Sequence, residues 1–196
     1  MKLDYVKPSM EDVMYACSLH SKIIENMVKD SGLTFFTPML ICDGLDRELK
    51  PVIHAYMLAG PFNEHEEKTA AMRSMGRLIY KQLVIPSILM FVSEAWAVTR
   101  ERYDDSKVEP RNDLNKTEIL SFVGLGAGHT SAVVGHMPIV RDDRDIIQPG
   151  KFEFPPSDGC KAKLLENVFV GYFEVALKNI GDLLKRTNPM GIKNET

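Results

Sequence analysis

The chain predicts an α+β fold, a two-layer sandwich with a mostly antiparallel sheet of about five strands and three helices. Three observations carry that expectation. Apolar residues recur at helical spacing near the start, near residue 70 and near the end of the chain. Between them lie β-branched and aromatic runs separated by turn residues. The resulting order, α-β-β-α-β-β-β-α, joins consecutive strands by turns, which favours antiparallel pairing.

Each element has its own justification. Ser9, followed by Glu11 and Asp12, reads as a helix N-cap with acid in the first turn. Met10, Val13, Met14, Cys17, Ile24, Met27 and Val28 then form an apolar stripe, with His20 on it, up to a stop at Gly32. LTFFTPMLIC (33–42) reads as a strand bent at Pro38, and PVIHAYMLAG (51–60) as its hairpin return. Asn63 and the acids after it open a second helix, with Ala71, Met75, Leu78, Ile79 and Gln82 on its inner side. Pro86 ends that helix and leads into SILMFVSEAWAV (87–98), a strand long enough to cross a sheet.

A mixed-charge connector (100–116) follows, then two strands, TEILSFVGLG and TSAVVGHMPIV, joined at glycines. Residues 142–160 read as a second connector, rich in Pro and Asp. A final helix spans about 161 to 185, with Leu165, Val168, Phe169, Tyr172, Val175, Leu183 and Leu184 on its apolar face. Residues 1–186 are expected to form a single α+β domain, with 187–196 as a frayed tail.

Bulk composition narrows the function classes. With 24 Lys and Arg against 27 Asp and Glu, there is no basic surplus of the kind a dedicated nucleic-acid binder carries. The longest apolar run, LVIPSILMFVSEAWAV, is interrupted by Pro86 and Glu94 and falls short of a membrane span. The N-terminus lacks the apolar core of a signal peptide. Three cysteines with no shared spacing point to reduced thiols, hence a cytoplasmic protein. Eleven methionines and wide aliphatic stripes beside a net charge of −3 point to a homo-oligomer.

Few motifs carry chemistry. VGLGAGHTSAVVG places Gly124, Gly126 and Gly128 after a strand, as a dinucleotide loop does. The third glycine comes one position early, however, and no helix fits before Pro138, so the stretch reads as a hairpin turn. Cys17 and His20, three apart on the first helix, form a thiol–imidazole pair only if they are more than packing residues.

Glu94 is the sharpest signal. Alternation puts it on one face with Ile88, Met90, Val92 and Trp96, and both faces of that strand are apolar. A carboxylate buried there needs a partner or takes up a proton. It serves as a structural tie, lies at an open face or subunit interface, or acts as an acid, base or metal ligand. His54 and His136 test the last option. If their faces coincide with that of Glu94, two imidazoles and a carboxylate converge to bind a divalent metal or move protons. No HExxH or HxH spacing supports the set, and no cofactor is implied.

The stretch Ser93-Glu94-Ala95-Trp96, with Pro110 and Glu118 beyond it, resembles a loose group of uncharacterised prokaryotic proteins that carry a SEAW strand followed by a proline-to-glutamate loop. Lys116 stands at that loop's Arg position, while Arg111 and Leu114 depart from its pattern. The resemblance covers residues 88–123 and implies no activity. It suggests that Lys116 or Arg111 supplies the countercharge for Glu94. The leading expectation is a non-catalytic binding or assembly protein. The alternative is a small metal-dependent hydrolase-like enzyme using Glu94 with His54 and His136.

Overall fold

The computed structural model describes residues 8–46, 48, 50–58, 65–82, 85–98, 116–127, 129 and 131–155. The elements in order are α1 (Met10–Ser31), β1 (Met39–Leu45), β2 (Pro51–Met57), α2 (His65–Lys81), β3 (Ile85–Val98), β4 (Lys116–Gly126), β5 (Val133–Arg141) and β6 (Ile147–Pro149). The expected final helix and the tail 187–196 lie outside the described residues.

Local chemistry explains α1. The Ser9 hydroxyl accepts from the Asp12 N–H (3.1 Å), and the Asp12 carboxylate accepts from the Ser9 N–H (2.8 Å), a reciprocal capping box. At the other end Gly32 adopts φ 59° and ψ 41°, the left-handed stop that glycine takes without strain.

The six strands form one curled half-barrel sheet in the order β2-β1-β3-β4-β5-β6, with every pairing antiparallel. This corrects the two-layer, three-helix sandwich of about five strands. The described helices cover opposite faces of the sheet. Val13, Cys17, Ile24 and Val28 of α1 pack on Ile41, Met90, Val92, Leu120, Phe122 and Met137. Ile79 and Met75 of α2 pack on the other face, with Leu40, Leu89, Phe91 and Val123. Apolar residues at both parities of β3 require this, since a sheet face left bare costs roughly 25 cal/mol per Å² of exposed apolar surface.

The sixth strand arises within a stretch that reads as a connector. The Asp142 carboxylate accepts from the N–H groups of Arg144 (2.9 Å) and Ile146 (3.0 Å). Asp145 takes φ 62°, a conformation Asp tolerates better than most residues. The turn brings Ile147 opposite Arg141, and the chain continues along β5 to a bridge between Glu153 and His136. Three residues ending in Pro are too short for a periodicity signal.

Strand β1 begins only at Met39, later than the sequence suggests. Residues 33–38 are held as a loop by long-range bonds, among them one each to β6, β5 and β3. Ile147 N–H donates to the Leu33 carbonyl (2.7 Å), Arg141 to the Thr34 carbonyl (2.5 Å), and Phe36 N–H to Glu94 (2.6 Å). Pro86 lies inside β3 opposite Gly44, where the β1–β3 register shifts, one of the places a strand accepts proline.

The glycines of VGLGAG also find a structural use. A Cβ on Gly124 would stand 2.6 Å from Cys17 Sγ and 3.1 Å from Val13 Cγ1. These positions let α1 sit close on β4. Gly124 and Gly126 belong to β4 itself, and the next described element is the strand β5, so they do not open a helix as a dinucleotide loop does.

Candidate functional site

Glu94 lies on the α1 side of β3, its side chain 19% exposed. One carboxylate oxygen accepts the Phe36 N–H (2.6 Å), and the other lies 3.4 Å from Arg141 Nη2. Arg141 stands at the end of β5 on the same face. It makes a two-pronged contact with Glu118, Nε to Oε2 at 2.9 Å and Nη2 to Oε1 at 2.6 Å. Its Nη1 donates to the carbonyl of Thr34 (2.5 Å), and Asp145 Oδ1 lies 3.7 Å away. Two carboxylates thus share one guanidinium, which also fastens the α1–β1 loop to the sheet.

This corrects the expected source of countercharge. The cation comes from β5, not from Lys116, whose ammonium lies 4.4 Å from the Trp96 ring centroid. Arg111 lies outside the described residues. Sequence reasoning missed Arg141, although a signal existed. In HMPIVR, Met137, Ile139 and Arg141 share one parity, so the arginine follows two core residues inward as Glu94 follows Val92.

Burial pushes the Glu94 carboxyl above its ordinary range; the Phe36 N–H and Arg141 oppose that shift, and Glu118 adds to it. The folded chain therefore holds this proton more tightly than the unfolded chain. Its contribution to stability grows as pH falls through the raised folded value towards the unfolded value of about 4.3, and is lost as pH rises. Urea melts of Glu94→Gln beside the wild type should show the difference shifting in favour of the wild type from about pH 7 to about pH 4. A difference that stays flat over that range contradicts the assignment.

The structure does not bring Glu94, His54 and His136 together. His54 pairs with Cys42 and stacks on Tyr56 on the α2 side of β2. His136 pairs with Ser121, at the parity opposite to the core residues Met137 and Ile139. Both histidines thus lie on the face of the sheet away from Glu94. They are also four strand spacings apart, about 19 Å at about 4.8 Å per step. Among the described residues, no three His, Cys, Asp or Glu are grouped to hold a metal ion.

A second polar pair, also missed, sits under α1. His20 Nε2 lies 2.8 and 2.9 Å from the two oxygens of Asp43 on β1. Asp43 follows Met39 and Ile41 at inward parity, the same kind of signal as Arg141. Cys17, the residue considered as a partner for His20, is a poor nucleophile. Burial, and then the Asp43 charge, push its thiol up to about 12. Cys42 is raised to about 12 for the same reasons. Alkylation read site by site by mass spectrometry at about pH 8 should label Cys17 and Cys42 only after unfolding. Rapid native labelling of Cys17 would contradict its placement.

Beside His20, among the described residues, the face of β2 extends past the cover of α1. Helical spacing puts Leu19 and Ile23 to one side of His20, the α1 residue that meets β1 through Asp43. On β2, Ile53, Ala55 and Met57 share the face of Asp43, Ile41 and Met39. Met39 and Ile41 are buried under the helix, whereas Ile53 is 59% and Met57 63% exposed. Leu19 and Ile23 are 42% and 54% exposed.

Among the described residues, no helix is long and apolar enough to cross a membrane. No family model, curated protein or solved structure matches the chain.

Proposed function

We propose that this chain is a non-catalytic binding or assembly protein, and that its contact surface is the apolar strip formed by Leu19, Ile23, Ile53 and Met57. One observation carries the reading: β2 extends the sheet beyond the cover of α1 and presents large apolar side chains there, next to buried neighbours in register. The state of the polar groups agrees with it. Glu94 and Glu118 are engaged by Arg141, and His20 by Asp43. Among the described residues, no buried side-chain nitrogen or oxygen lacks a hydrogen-bond partner.

The test compares wild type with Leu19→Glu/Ile23→Glu, using sedimentation and the apolar dye ANS on folded protein. An available strip makes the wild type associate or bind dye, and the double variant loses that property while its melting temperature holds. A wild-type monomer that binds no dye overturns the reading.

A further inference from the structure

The two edges of the sheet are finished differently. At one, β6 is three residues long and ends in Pro149, a protected edge. At the other, β2 runs for seven residues, PVIHAYM; its proline stands at the first position, and the six residues after it carry no Lys, Arg, Asp or Glu. Open edges of that length and polarity are ordinarily blunted by charge, because they invite another strand.

The direction of the free peptide groups follows from the β1–β2 register. Leu58 N–H donates to the Pro38 carbonyl (2.8 Å) and Asp46 N–H to the Lys50 carbonyl (3.0 Å). In an antiparallel pair, bonded residues alternate. Val52, His54 and Tyr56 therefore turn their peptide groups towards β1, while Ile53, Ala55 and Met57 turn theirs outward. Among the described residues, no strand lies on that outer side.

From this edge we infer that β2 pairs antiparallel with β2 of a second copy of the chain, about a twofold axis at Ala55. The inference rests on the binding or assembly reading and names its partner. In this register Ala55 faces Ala55 of the second copy, and Ile53 faces Met57 of the second copy. Every outward N–H and C=O of Ile53, Ala55 and Met57 then finds a partner. The register shifted towards the start of β2 sets Met57 against Pro51, which has no N–H to donate. Ala55 at the axis is small, and Ile53 meets Met57 on the same face as Leu19 and Ile23, so apolar surface meets apolar surface. On the opposite face His54 lies across from Tyr56 of the second copy. No acid meets an acid and no base a base, which suits self-pairing.

Sedimentation velocity of the full chain, with Ala55→Pro and Ile53→Lys beside the wild type, tests the inference. Ala55→Pro removes an outward N–H at the axis, where an edge strand accepts proline. Ile53→Lys sets a charge against Met57 of the second copy in place of the apolar contact. The wild type should be a dimer, and each variant should raise its Kd by about tenfold or more, with little change in the melting temperature measured at monomer concentrations. Should Ala55→Pro fail to fold, Ala55→Cys in a Cys160→Ser background serves in its place. Bonded residues facing across a pair have Cα atoms about 5.5 Å apart, within disulfide reach, so oxidation should give a covalent dimer.

A dimer indifferent to Ala55→Pro and Ile53→Lys overturns the edge pairing but leaves the assembly reading standing on another surface. A dye-binding monomer overturns the pairing and leaves the binding reading. A monomer that binds no dye overturns both.

Discussion

Replacing Arg141 with Ala is expected to lower stability by about 2–3 kcal/mol, a loss of roughly 5–10 °C in melting temperature for a chain of this size. The substitution deletes the only cation within bonding distance of Glu94 and Glu118 among the described contacts. It leaves two half-buried carboxylates on neighbouring strands, with the Phe36 N–H still engaging one of them. It also frees the Thr34 carbonyl, loosening the loop that ties α1 to β1. Breaking a fully buried ion pair costs about 3–5 kcal/mol. The smaller value follows because Arg141 is 24% exposed and water partly solvates what remains.

Variants separate these causes. Arg141→Lys keeps the charge but not the planar fork, and should recover only part of the loss. Adding Glu118→Gln to Arg141→Ala removes the like-charge contact and should restore about 1 kcal/mol. Chemical denaturation of the four proteins decides the matter. An Arg141→Ala protein within about 0.5 kcal/mol of wild type would reduce the cluster to ordinary surface charge.

Gly124→Ala should cost about 2–3 kcal/mol, since a methyl group there meets Cys17 Sγ at 2.6 Å and Val13 at 3.1 Å. Sulfur and helix have nowhere to go, because Cys17 and Val13 are both completely buried. Cys17→Ala alone should cost about 1 kcal/mol through the small cavity it leaves. Together the two should cost about 1–2 kcal/mol less than their sum, because the new methyl group fills the space that the sulfur leaves. Additive losses in a double-mutant cycle would show that α1 does not rest on β4 at this point. A glycine kept for a phosphate has no reason to be rescued by shortening a side chain on α1.

Much of the fold is legible where chemistry is local. Ser9, Asp12 and Gly32 mark the ends of α1 because capping involves groups three residues apart or a single left-handed residue. Apolar residues at both parities of β3 already call for cover on each side; assigning all helices to one layer overlooked that. β6 was missed because its pairing depends on a turn set by Asp142 and Asp145, not on periodicity.

The candidate site divides in the same way. By itself the sequence determined that Glu94 points inward from an apolar strand and needs neutralising, since side-chain direction in a strand and the cost of a bare charge are both local properties. Only the tertiary structure decided that Arg141 answers it, that His54 and His136 face the other way, and that β2 stands at the edge of the described strands. Each of those depends on strand order and register, which arise when distant segments compete to bury the same surface. Alternation tells which residues of a strand share a face; pairing tells whose face it meets.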